Sequence, residues 1–171
     1  QKLVKYEEIA DRIEFEIASF LNAIPQEEIS EHTRDEVNVM YKAINELESL
    51  GDSGEAISRI LARRNSHDKK FSAEQVRNIL SLIDLVDKAY DVMIRNLSQG
   101  HKSMLGLKMA VDCEIEINEL RNLLREAEIK RIEQNGSDYH GSVYYLDVLS
   151  EVERMGDFVI NISQAVTQEE A

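Results

Sequence analysis

The chain has 171 residues and a mass of 19.6 kDa, room for one ordinary domain or two small helical units but not for a multi-domain enzyme. Thirty-three Asp and Glu against 20 Lys and Arg leave a net charge of −13, a field that repels phosphate backbones and anionic lipid and excludes nonspecific nucleic-acid binding. Seven Gly and one Pro are too few turn residues for a many-stranded β protein, while 43% apolar and 31% charged residues fit a soluble helical one.

The apolar positions Val4, Ile9, Ile13, Ile17, Phe20, Leu21 and Ile24 recur mostly three or four residues apart, which predicts a first helix with one buried face. It should end at Ile24, because the residue before Pro25 is pushed out of helical backbone. Pro25 suits the first turn of a second helix, with Glu27 and Glu28 favourable to its dipole. That helix carries the stripe Val37, Met40, Ile44, Leu47, Leu50, Ile57, Ile60 and Leu61, and fades in the polar stretch from Arg63 to Asp68.

Ser72 with Gln75 three residues on reads as a capping box opening a third helix, which Gly100 closes. A fourth helix is predicted from Leu105 to Ile132. The linker Gly136-Ser137-Asp138 separates it from a fifth, from about Tyr139 to Val166. Five helices on short loops make an antiparallel bundle the expected architecture. A single cysteine, Cys113, has no partner for a disulfide or a zinc site and signals no thiol chemistry. The longest apolar run, Val143-Tyr144-Tyr145-Leu146, is far short of the about 20 residues of a membrane span.

An internal repeat runs through these helices. Glu46-Leu47-Glu48-Ser49-Leu50-Gly51-Asp52 returns as Glu151-Val152-Glu153-Arg154-Met155-Gly156-Asp157, at an offset of 105 (157 minus 52). The match extends through Met40/Tyr145, Ile44/Leu149 and Ile57/Ile162, so the second helix is echoed in the fifth. A weaker echo pairs Glu7, Ala10, Ile13 and Ile17 with Glu114, Ile117, Leu120 and Leu124, at an offset of 107 (117 minus 10). The chain therefore divides into a first repeat at 1–68, with two helices, and a second at 72–167, with three. The leading helix of the first repeat is expected upstream of Gln1, which also fits a chain that opens without Met.

The repeat bears on Gly51-Asp52-Ser53-Gly54, which alone reads as a turn. Its counterpart Gly156-Asp157-Phe158-Val159 leads into an apolar run, so the helix should continue through both. A glycine held between two carboxylates then implies close approach by another helix or a ligand.

Glu48 and Asp52 are four apart, as are Glu153 and Asp157, so each pair shares one helix face. Carboxylates at the margin of a bundle offer oxygen ligands to hard cations, and Glu55 extends the row in the first copy, where the second has Ile160. Against this, acidic pairs in a chain so rich in carboxylate are ordinarily solvated faces, and duplication is what raises them above that background. None of His32, His67, His101 or His140 follows a Glu at the spacing of a di-iron bundle, and all four read as solvated. Tyr144 and Tyr145 read as core. No phosphate loop, zinc-protease motif or nucleophile elbow is present.

The two motifs Glu48-Ser49-Leu50-Gly51-Asp52 and Glu153-Arg154-Met155-Gly156-Asp157, the second followed by Asn161-Ile162, resemble the Glu/Asp-x-x-x-Asp motifs of the PhoU family. The likeness runs from Lys5 to Val166, and the second copy is the closer match. It implies an all-α, elongated bundle of two three-helix units, with metal at Glu48, Asp52, Glu153 and Asp157. The metal would be iron, zinc, magnesium or manganese. PhoU-like domains also occur as cytoplasmic tails of sodium/phosphate cotransporter family proteins, and this chain looks most like such a tail. The resemblance thus implies a non-enzymatic regulator of phosphate transport at the cytoplasmic face of a bacterial inner membrane. Its partner would be the membrane portion of the same chain, with no role for nucleic acid, and a homodimer is allowed. The alternative is a free-standing PhoU-type regulator acting on a phosphate transporter and a sensor kinase. A carboxylate-bridged metalloenzyme would need convergent ligands, and the two pairs lie in different halves of the repeat.

Overall fold

The computed structural model describes residues 2–24, 29–99, 104–135 and 139–167. Among them are five α-helices and no strand: α1 (Lys2–Asn22), α2 (Glu31–Ser66), α3 (Ala73–Gln99), α4 (Met104–Asn135) and α5 (Tyr139–Thr167). The expected all-α bundle is what the chain forms. Pro25, Glu27, Glu28, Gly100, His101 and the Gly136-Ser137-Asp138 linker lie outside the described residues.

Helix ends follow local chemistry. The first helix stops at Asn22, two residues before the expected Ile24, and Ser30 rather than the Pro25 segment caps α2. The Ser30 hydroxyl accepts from the Thr33 N–H at 3.1 Å, satisfying a donor that the helix itself leaves open. At its other end α2 turns through Asp68, whose φ of 51° is left-handed. There the Lys69 N–H reaches back to the Arg64 carbonyl at 3.1 Å, closing the helix as a Schellman turn does. The capping box of α3 forms as expected. The Gln75 N–H donates to the Ser72 hydroxyl at 3.1 Å, and the Ser72 N–H to the Gln75 side-chain oxygen at 2.9 Å.

Helices α3, α4 and α5 pack mutually as a three-helix bundle, while α1 packs on α2 alone and α2 joins the bundle along α5. The main core follows from this. Leu82, Val86 and Met93 of α3 meet Cys113 and Ile117 of α4 and Tyr145, Val148 and Val152 of α5, with Ile60 of α2 at the edge. The buried positions on α4, Ala110, Cys113, Ile117, Leu124 and Glu128, recur at helical spacing, so one stripe faces both neighbours. Between α1 and α2 the core is much smaller, with Leu21, Val37 and Ile44 buried and Tyr41 donating to the Ala18 carbonyl at 3.3 Å.

A polar knot ties the lower bundle. Glu128 is buried, and its carboxylate accepts from Gln75 Nε2 at 3.1 Å and Arg131 Nε at 3.0 Å, while Arg131 also donates to Ser142 Oγ at 3.1 Å. The residue that caps α3 thereby also anchors α4. Tyr145 is core, its hydroxyl accepting from Asn78 Nδ2 at 3.3 Å, whereas Tyr144 is partly buried and hydrogen-bonded to exposed His67. Burial pushes the Cys113 thiol up, so it stays protonated.

Helix α2 runs unbroken through Gly51-Asp52-Ser53-Gly54, as its counterpart in α5 does. Nothing lies within 4 Å of where a Cβ on Gly54 would stand. Gly54→Ala should therefore raise stability by about 1 kcal/mol, the helix-propensity difference, read as a higher midpoint in thermal unfolding.

Candidate functional site

Each carboxylate pair flanks a glycine at which its helix approaches a neighbour, Glu48 and Asp52 on α2 and Glu153 and Asp157 on α5. In the second copy α5 approaches α4 at Gly156, which is buried; a Cβ there would stand 2.9 Å from Ile117 Cδ1 and 3.3 Å from its Cγ2. In the first copy α2 approaches α1 at Gly51, where a Cβ would stand 3.7 Å from the Cβ of Ala10, an ordinary contact. Gly51 matches Gly156 and Ala10 matches Ile117 under the offsets read from the sequence, so both copies cross at equivalent residues. The close approach expected of the glycine is thus strict at Gly156 and loose at Gly51.

Around these crossings the two pairs differ in their counter-charges. Glu153 is taken by the Arg121 guanidinium of α4 in an ion pair largely shielded from solvent. Burial, then the neighbouring Glu153 and Glu114 carboxylates, push the Asp157 carboxyl up, against the pull of Arg121 and Arg154. Burial likewise pushes Glu48 up, reinforced by Asp52, Glu14 and Asp11, with the Ser49 hydroxyl opposing as it donates to Glu48 Oε2 at 3.4 Å. None of the leading contributions to that balance is a basic side chain. At the offset of 107 (121 minus 14), Glu14 stands where the second copy has Arg121.

The first copy is therefore the more acidic of the two, and the second carries its own cation in Arg121. Glu55, expected to extend the acidic row, pairs instead with Arg59 at 3.0 Å, and its counterpart Ile160 is buried. Sequence reasoning passed over Arg121, Glu14 and Asp11. Carrying the repeat offset from Glu14 to Arg121 would have exposed the charge reversal.

Among the described residues no three His, Cys, Asp or Glu side chains are placed to hold one metal ion together. Two carboxylates per copy suit a cation that keeps much of its shell as water, as Mg²⁺ does, better than a cage made wholly of protein. His32 lies beside Glu36 at 3.5 Å on the surface, and His140 is exposed. A concavity of about 720 Å³ between α2 and α5 has Arg59, Arg63, Asp147 and Glu151 on its walls, a balance of charge that favours neither anion nor cation. No described helix is long and apolar enough to cross a membrane. No protein family, curated protein or solved structure matches the chain at a significant level.

Proposed function

We propose that this chain is a PhoU-like regulatory domain of a sodium-dependent phosphate transporter, acting by cation binding and helix contacts rather than by catalysis. The observation that carries the reading is the pair of matched crossings, Gly51 on Ala10 and Gly156 on Ile117, each flanked by its carboxylate pair. In this reading Glu48 and Asp52 form the principal cation site, since Glu14 and Asp11 add negative charge there. Glu153 and Asp157 form the second, tempered by Arg121. Iron, zinc, magnesium and manganese are the candidates, and the bound cation supplies positive charge that offsets the surrounding carboxylates. The domain would lie at the cytoplasmic face of the membrane and bias transport through the membrane portion of the protein.

Metal content and calorimetric titration of the untagged chain test the site. Binding of at least one of the four metals is expected, with affinity reduced about tenfold or more by Glu48→Gln/Asp52→Asn and less by Glu153→Gln/Asp157→Asn. Absence of binding by the unaltered chain defeats the site assignment. If sodium-dependent phosphate uptake in cells is indifferent to Glu48→Gln/Asp52→Asn despite confirmed metal loss, the regulatory role fails instead.

A further inference from the structure

The matched helices α2 and α5 pack on each other, and their contact has two related halves. In one half, Asn161 of α5 donates to Glu46 Oε2 of α2 at 3.0 Å. The offset of 105 (161 minus 56, 151 minus 46) carries that pair to Ala56 and Glu151, and both of these line the cleft of about 720 Å³ between the same two helices. An asparagine amide bridges the helices on one side; on the other an alanine methyl stops short of the glutamate, and the cleft is the space left over.

The lining breaks the repeat in charge as well. Arg59 and Arg63, one turn apart, stand on the α2 wall, and Asp147 and Glu151, also one turn apart, stand on the α5 wall. At the offset of 105, Asp147 occupies the position of Lys42 and Arg59 that of Gln164, so a basic wall opposed to an acidic one belongs to this half of the contact. Two of the four charges are matched along their own helices, Arg59 by Glu55 at 3.0 Å and Glu151 by Arg154 at 3.2 Å. Arg63 and Asp147 are not joined in an ion pair among the described residues. Burial pushes the Asp147 carboxyl up, and Arg63, pulling it down from across the cleft, does not make good the loss.

A simple anion on the arginines would meet the carboxylates, and a simple cation on the carboxylates would meet the arginines. A molecule that carries both charges escapes both conflicts. We propose that this cleft binds a small zwitterion, a free amino acid or a short peptide, with its carboxylate on Arg63 and its ammonium on Asp147. Guanidinium suits a carboxylate through its parallel N–H donors, and a carboxylate accepts from an ammonium. The cleft's volume falls in the usual range of small-molecule sites, about 300–1,000 Å³. None of Glu48, Asp52, Glu153 or Asp157 takes part, so the site stands apart from the cation reading.

Calorimetric titration of the whole chain with glycine, leucine and alanyl-leucine, in buffer containing a chelator, tests the proposal. Saturable binding of at least one is expected, with Kd below about 1 mM. N-acetyl-leucine and leucine amide each lack one of the two charges and should bind about tenfold more weakly than leucine. Arg63→Gln and Asp147→Asn should each weaken zwitterion binding by about tenfold, and both side chains are exposed, so the variants should keep their circular dichroism. In Asp147→Asn, where the ammonium has lost its partner, leucine should lose its advantage over N-acetyl-leucine. Ala56→Asn supplies the bridging amide found at Asn161 and should abolish binding, with an unchanged or higher melting midpoint. Tighter binding of leucine makes a free amino acid the occupant and tighter binding of alanyl-leucine a peptide; either supports the site. No binding of any of the three zwitterions, equal binding of a singly charged analogue, or binding indifferent to both Arg63→Gln and Asp147→Asn overturns it.

Discussion

Replacing Arg131 with alanine should cost the fold about 3 kcal/mol, because it strands a buried carboxylate. Glu128 is 5% exposed, and the Arg131 guanidinium holds it with two donor nitrogens. Without Arg131, two neutral groups, the Gln75 amide and the Ser142 hydroxyl, are left to face a charge shielded from water. For a chain of this size that loss corresponds to roughly 6–12 °C in the melting midpoint. The double variant Glu128→Leu/Arg131→Leu should cost less than the single one, since removing both charges leaves nothing stranded.

The pH dependence gives a second signature. Burial alone would push Glu128 up, but Arg131, the Ser142 hydroxyl and Gln75 together hold its carboxyl below the usual carboxylate range. The stability it contributes is therefore fully present above the unfolded carboxylate pKa, about 4.3, and is lost as pH falls through the lower folded value. In Arg131→Ala the direction reverses. Burial then dominates, the folded carboxyl binds its proton more readily than the unfolded one, and the deficit against the parent shrinks on acidification. Denaturant unfolding at pH 7 and near pH 4.5 reads both effects. Equal midpoints at pH 7 would refute the argument.

The Glu128 knot also marks the boundary of what the amino-acid order discloses. Ser72 and Gln75 are three apart, so their capping box is a local pattern and could be read directly. That the same Gln75 reaches Glu128, 53 residues on, depends on how α3 and α4 pack. The start of α2 was misplaced for a related reason. Pro25 is a strong local signal, whereas Ser30 is followed at the capping-box position by Thr33 rather than Glu or Gln, so nothing nearby advertised it as the cap. The candidate site divides the same way. Helical spacing puts Glu153 and Asp157 on one face, but periodicity within a helix says nothing of Arg121 on the helix opposite. The duplication bridges that gap, since one offset carries Ala10 to Ile117 and Glu14 to Arg121. With it, contacts in one copy become expectations for the other, and the residues that break the match, Glu14 against Arg121 and Gly54 against Val159, show where the copies have diverged.

Gly156→Leu should be the other severe change, costing about 3 kcal/mol. A Cβ at Gly156 would already stand 2.9 Å from Ile117 Cδ1 and 3.3 Å from its Cγ2, and Ile117 is itself buried, so a leucine there must push it into the packed core. Alanine at the two matched glycines separates packing from propensity. Each substitution gains about 1 kcal/mol of helix propensity, and at Gly51 nothing opposes that gain, because the nearest atom, the Ala10 Cβ, lies at ordinary contact distance. At Gly156 the clash outweighs it. Gly51→Ala should therefore stabilise the protein and Gly156→Ala destabilise it, an opposite sign at equivalent positions. A double-mutant cycle locates the cause: Ile117→Ala opens a cavity alone, yet in the Gly156→Leu background it relieves the overlap. The double variant should then be more stable than the sum of the singles by about 1–3 kcal/mol. Additive costs in denaturant unfolding would mean that the α4–α5 crossing is not what excludes a side chain at Gly156.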